Sequence, residues 1–226
     1  MSGASVSEAV AARRSIRQFT DRPVDLSLLR EILDKARQSP SGGNLQPWHA
    51  TVLFGTRLVR LKQETRAAMA QVPGIEAPEY PIYPADLPEP WRSRRGANGE
   101  AMYGALGIPR EDKGRRMAAV ARNFEFFGAP VGLLVHTPAF MGKPQWADLG
   151  MWLQTLMLLL VEQGLGSCAQ EAWSVYPATV KRVGEIPDDH IFFCGLAIGY
   201  PDHDAPLNHF ANPRAPLDDT VRFLSD

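Results

Sequence analysis

The chain holds 226 residues, 45% of them apolar and 22% charged, the balance of a globular domain with one substantial core rather than of a disordered or fibrous chain. Lys and Arg number 24 against 25 Asp and Glu, a net charge of −1, which leaves no electrostatic footprint for nucleic acid or an anionic membrane. Cys168 and Cys194 form no CxxC, so buried reduced thiols are expected instead of a disulfide framework or zinc site. The opening MSGASVSEAVAARRS has no apolar core of a secretory signal. The apolar run Leu149–Val161, uncharged between Asp148 and Glu162, falls short of the roughly 20 residues a membrane-spanning helix needs. A cytoplasmic protein is expected.

In chain order, residues 5–14 read as a first helix with Ala9, Val10 and Ala12 inward, ending in an arginine-rich corner. A second helix begins near Asp25 or Ser27, either of which suits an N-cap. Its apolar stripe is Leu28, Leu29, Ile32, Leu33 and Ala36. Pro40, Gly42, Gly43 and Pro47 break the pattern, WHATVLF (48–54) reads as a strand, and another helix is expected over 57–70.

From Val72 to about Gly107 prolines 73, 78, 81, 84, 88 and 90 recur too often for a helix interior or a central strand. Tyr80, Tyr83, Trp91 and Tyr103 are interleaved with them. The stretch 72–116 reads as a lid or arm inserted in a single domain spanning 1–226. Residues 92–122 carry eight basic residues against three acidic ones. A helix ending in ARNFEFFG (121–128) leads into the apolar strand PVGLLVHT (130–137). A long helix, Trp146–Gln163, follows; it is apolar almost all round, so burial on every side is expected, partly against another subunit. Gly164 and Gly166 end it. A short helix over 178–185, the strand IFFCGLAIGYP (191–201) and a tail from Asp202 to Asp226 complete the chain. Helices and strands mix without the regular alternation of a doubly wound sheet.

No dinucleotide GxGxxG, Walker A loop, HExxH or GxSxG is present, and the five histidines show no ligand spacing, so no metal site is expected. Two short clusters carry chemistry. Arg13, Arg14, Ser15 and Arg17 place three guanidinium groups and a hydroxyl within five residues, donors that match phosphate oxygens. Pro40-Ser41-Gly42-Gly43-Asn44-Leu45-Gln46-Pro47 combines glycines that admit a flat ligand with donors and acceptors for a polar ring edge.

RRSIRQF, PSGGNLQPWH about 25 residues later, and GLGSCAQEAW followed by CGLAIGYP resemble the nitroreductase family of flavoproteins over all of the chain outside 72–116. The resemblance implies an α+β fold, with a central, mostly antiparallel sheet surrounded by helices, in an intertwined homodimer. It implies two FMN molecules at the interface. Arg13, Arg14, Ser15 and Arg17 match positions that hold the FMN phosphate and pyrimidine edge. Pro40, Ser41, Gly42 and Asn44 match positions reaching the flavin from the partner subunit, and Gln170, Glu171 and Ala172 match the loop against the ring near N5. Arg214 matches a late phosphate ligand, with Asn212 where a second cation is common. No side chain is expected to be catalytic, because flavin N5 carries the chemistry. The implied activity is a ping-pong reduction of nitroaromatic or quinone-like acceptors by NADPH or NADH. Trp91 and Tyr103 are expected to contact a small aromatic acceptor. A reductive dehalogenase, a flavin-fragmenting enzyme and a non-catalytic FMN-binding module are the alternatives. Deiodinases of the family it resembles use a lid carrying Glu, Tyr and Lys; here Glu100 and Tyr103 lie three apart without a clear matching Lys.

Overall fold

A computed structural model describes residues 5–71, 75–210 and 212–225. Val72 and Pro73, where the expected lid begins, and Asp226, the end of the tail, lie outside the described residues. One four-stranded sheet is built from β1 (His49–Phe54), β2 (Val131–Pro138), β3 (Gly166–Gln170) and β4 (His190–Gly199). The strand order is β1-β2-β4-β3, with every neighbouring pair antiparallel. Around it lie α1 (Val6–Ala12), α2 (Leu26–Ala36), α3 (Gly55–Met69), α4 (Trp91–Ala105), α5 (Lys113–Ala121), α6 (Lys143–Glu162) and α7 (Pro177–Gly184). The fold is α+β. Among the described residues no helix is long and apolar enough to cross a membrane.

The apolar runs of β2 and β4 follow from burial on both faces. Side chains alternate across a strand. Leu133 and Val135 therefore enter the cluster formed with α2 and α6, whereas Leu134 enters the cluster formed with α3 and α7. Asp25 caps α2 by accepting the Ser27 N–H at 2.8 Å, and Leu29, Ile32 and Ala36 form its buried stripe. Gly195 lies under the Trp173 indole: a Cβ there would meet Trp173 Cδ1 at 2.6 Å. Trp173 in turn stacks on Phe126 with ring centroids 4.5 Å apart. The glycine of CGLAIG is thus the floor of an aromatic stack.

Several expectations are corrected. The expected strand 191–201 ends at Gly199, and β3 was not expected; it is a strand because it completes a ladder on β4, from Gly166 opposite Gly199 to Gln170 opposite Gly195. In α1 Ala9 is buried but Val10 is 53% exposed and Ala12 is open, since a two-turn helix laid on α6 turns one position fully inward. The helix expected to end in ARNFEFFG stops at Ala121; a 3-10 stretch, Arg122–Gly128, follows and holds Phe126 and Phe127 at φ 48° and 54° with both rings buried. In α6 one face is buried, with Leu149, Trp152, Leu153, Leu156 and Leu160, whereas Met151 on the opposite face is 41% exposed. Its burial on every side is not completed within one chain.

The proline-rich stretch is also not wholly irregular. Its prolines stop at Pro90, and α4 starts at Trp91; neither α4 nor α5 contains a buried residue. The root of the segment is pinned down. Glu76 accepts the Thr179 N–H at the start of α7, at 3.1 and 3.2 Å. Glu79 pairs with Lys181 Nζ at 2.9 Å and accepts the Phe192 N–H at 2.9 Å. The Tyr80 hydroxyl donates to the Phe193 carbonyl while its ring meets Trp146 edge-on at 5.0 Å. Tyr80 is an anchor of the segment rather than a free stacking surface.

Candidate functional site

The arginine corner after α1 is bound to the sheet. Ser15 bridges to Ser167 in β3, the Ile16 N–H donates to the Ser167 carbonyl at 2.9 Å, and Phe19 bridges to Pro201 beyond β4. This pairing turns the side chains of Arg13, Arg14, Ser15 and Arg17 into a cavity of about 540 Å³, while Ile16 between them is buried against Gly166. Arg13, Arg14, Ser15, Arg17 and Arg214 line it, together with Val10 and Ala11 of α1, Gln154 and Met157 of α6, and Leu207, Asn208, Phe210 and Asn212 of the tail. The first block and Arg214, about 200 residues apart in sequence, thus meet in space.

The electrostatics of this cavity are one-sided. Among the described residues none of Arg13, Arg14, Arg17 and Arg214 takes part in an ion pair. Burial, then the neighbouring Arg214, push the Arg13 guanidinium below its ordinary pKa, with Arg14 adding to the effect. The Arg17 guanidinium lies 5.6 Å from the centroid of the Phe210 ring and donates to the Ser15 carbonyl at 3.3 Å; Arg214 donates to the Asn212 carbonyl at 2.7 Å. Behind the cluster Cys168 is a buried free thiol pushed up by burial, an effect that Arg17, Ser15 and Arg13 oppose. Like charges held together without a counterion favour an anionic ligand.

The other expected positions lie elsewhere on the same chain. Gly42–Asn44 form a 3-10 turn in which Gly43 and Asn44 have φ 57° and 56°. The Gly42 N–H points at the buried Asp148 carboxylate, at 3.3 and 3.4 Å, and Ser41 Oγ accepts the Gln46 N–H at 3.0 Å. Pro40, Gly42 and Asn44 are exposed, Ser41 half-buried. None of these four lines the cationic cavity of its own chain. Gln170 ends β3 and donates from Nε2 to the Asn123 carbonyl at 2.8 Å, while its Oε1 is buried without a partner. Glu171 and Ala172 follow, both half-buried, and burial pushes the Glu171 carboxyl above its ordinary range.

Trp91 and Tyr103 differ. Trp91 opens α4 and is 54% exposed. Tyr103 lies under the Arg116 guanidinium at 4.3 Å, and Arg116 is held by both Glu100 oxygens at 2.8 and 2.9 Å. Glu100 and Tyr103 are therefore engaged with each other's partner. Among the described residues four of the eight basic side chains of 92–122 pair with carboxylates: Arg116 and Arg110 (3.6 Å) with Glu100, Arg115 with Asp112, and Arg94 with Asp219 at 3.4 Å.

Sequence reading missed a histidine cluster. His136 and His190 face each other through their Nδ1 atoms at 2.8 Å, and His49 packs on both rings at 5.6 and 4.7 Å. Separations of 87 and 54 residues hide the cluster in the sequence. Among the described residues no group of His, Cys, Asp or Glu is arranged to hold a metal ion.

The sequence profile of the Nitroreductase family matches residues 10–200. This chain belongs to the nitroreductase family. It is 34% identical to a 4-nitrobenzoate reductase of Pseudomonas putida over 95% of this chain and 93% of that one. It is 31% identical to a nitrobenzene nitroreductase of Ectopseudomonas oleovorans over 98% and 97%. The crystal structure of the FMN and NADPH-dependent nitroreductase NfnB from Sphigopyxis sp. strain HMH superposes with a TM-score of 0.95 at 51% identity, covering 99% of this chain and all of that one. The FMN-dependent NfnB of Mycobacterium smegmatis, in complex with NADPH, gives 0.92 at 29% identity over 97% of both chains.

Proposed function

We propose that this nitroreductase-family chain is an FMN-dependent oxidoreductase that uses NADPH or NADH to reduce nitroaromatic or quinone-like acceptors by a ping-pong mechanism. The observation that carries the reading is the cavity holding Arg13, Arg14, Arg17 and Arg214 without a carboxylate. A phosphate monoester fits that donor set: it is a dianion, its oxygens match guanidinium forks, and Ser15 adds a compact donor. When bound, FMN supplies the acceptance of hydride from NAD(P)H and the delivery of electrons to the acceptor.

The protein's residues bind and orient. Arg13, Arg14, Arg17 and Arg214 neutralise the phosphate, and Ser15 fixes its rotation. Gln170 presents a buried, unpartnered Oε1, and the Glu171–Ala172 backbone follows it at the end of the sheet. Pro40, Gly42 and Asn44 stand exposed and Ser41 half-buried on the chain that carries them, in keeping with service to the flavin of a partner subunit. The open face of α6 around Met151 supports a homodimer with two FMN sites at the interface. The segment 72–116 acts as a lid over a single domain, with Trp91 as the exposed aromatic available to a small acceptor and Tyr103 acting through its packing. We infer a cytoplasmic location.

Native mass together with flavin release tests this. The expected result is a particle of twice the chain mass that releases one FMN per chain on denaturation. A colourless monomer at micromolar concentration would reject it.

A further inference from the structure

We infer that Asn208 is the positioning residue of the anion cavity: its carboxamide locks the backbone of Arg17 and Gln18 to the C-terminal tail and so sets where the Arg17 guanidinium stands. The inference rests on the reading of that cavity as the FMN phosphate site. Asn208 is only 5% exposed, yet it lines the cavity. All of its amide capacity is directed at two segments. Oδ1 accepts the Arg17 N–H at 2.8 Å and the Gln18 N–H at 3.2 Å. Nδ2 donates to the Gln18 carbonyl at 2.8 Å and to the Asp202 carbonyl at 2.9 Å.

The need for such a clamp comes from the charge distribution. Four guanidinium groups converge with no carboxylate among them, so in the absence of an anion their mutual repulsion pushes the arginine corner and the tail apart. A carboxylate clamp would hold them but would also occupy the place of the ligand's charge. A neutral carboxamide holds the backbone through dipoles alone and takes up none of the guanidinium donors that an incoming phosphate would use. Ordering these groups before binding removes part of the entropy cost of capture. Phe210, two residues along, carries the same registration to the side chain, since its ring packs against the Arg17 guanidinium.

A merely structural role would weaken all flavin binding alike. A positioning role for Arg17 predicts loss at the phosphate end only. The full chain, stripped of flavin, is titrated with FMN and with riboflavin, which lacks the phosphate, and the ratio of the two affinities is compared for parent, Asn208→Ala and Asn208→Asp. The parent is expected to prefer FMN strongly. In Asn208→Ala the preference should fall by about tenfold, the effect of losing roughly one charge-assisted bond from a displaced Arg17 to the phosphate, with riboflavin affinity near parent. Asn208→Asp keeps the bonds accepted from Arg17 and Gln18 but sets a negative charge beside the cavity, so its preference should fall at least as far. A parent that binds both flavins equally would defeat the phosphate reading itself. A preferring parent whose variants keep its ratio, weaken both flavins equally or bind neither would overturn the role given to Asn208.

Discussion

At the scale of single residues, two groups of side chains make opposite electrostatic demands. The arginines of the cavity want an anion, and removing one should show it. Arg17→Ala and Arg214→Ala should each weaken FMN binding tenfold to a hundredfold, the loss of one charge-assisted bond at roughly 1.5–3 kcal/mol. Fluorescence titration measures this directly, and parent-like affinity in both variants would refute the phosphate assignment. The histidines want to stay neutral. Burial pushes His136 down to about 4, helped by His190, His49 and Lys181. His190 is lowered by burial and by His49 and Lys181, with Asp189 opposing. The unfolded chain binds these protons near pH 6.5 and the native one does not, so the stability they contribute is complete above about pH 6.5 and declines as pH falls towards 4. Melting temperature should therefore drop between about pH 6.5 and 4.5, before most carboxylates titrate. His136→Gln should flatten that slope; an unchanged slope would show that the cluster is not its source.

At the scale of elements, what was legible depended on whether an element carries its own pattern. The buried stripe of α2 and the apolar runs of β2 and β4 declare themselves, because one or both faces meet the core. β3 does not: GSCAQ is short and small-residued, and only the ladder on β4 makes it a strand. α4 was obscured by the prolines before it, although Trp91–Ala105 itself contains none. The arginine corner was legible as a cluster of donors, which the structure brings into one cavity with Arg214, whereas Asn208 and Phe210 were not, since a lone amide and a lone ring carry no spacing signal. Within the 75–116 segment the structure separates two aromatics that the sequence treats alike. Tyr103→Ala removes a cation–π contact of about 0.5–1 kcal/mol and should lower the melting temperature by a few degrees. Trp91→Ala should leave the melting temperature near parent and raise the acceptor KM. The reverse pattern would exchange their roles. In β4, Gly195→Ala forces a methyl against Trp173 and should cost roughly 1–3 kcal/mol; denaturant titration reads the loss, and a neutral outcome would mean the aromatic stack shifts freely.

At the scale of the molecule, the antiparallel order β1-β2-β4-β3 brings the first turn after α1 and the last stretch of the chain to one edge, through Ser15 on Ser167 and Phe19 on Pro201. That closure assembles the cationic cavity from residues that are remote in sequence, and it needs no dinucleotide-binding domain, consistent with the missing glycine fingerprint. The segment from Ile75 onward is rooted on α7 and β4 through Glu76, Glu79 and Tyr80. On the proposed function, reduction by the nicotinamide donor depends on the cavity, and reoxidation by the acceptor on the 75–116 segment as well. An anaerobic absorbance experiment on the purified protein follows both in one cuvette. Flavin absorbance should be present at the outset, bleach on addition of NADPH, and return on addition of a nitroarene such as 4-nitrobenzoate. Protein without flavin absorbance, or flavin that NADPH does not bleach or that the nitroarene does not restore, would contradict an FMN-dependent nitroreductase.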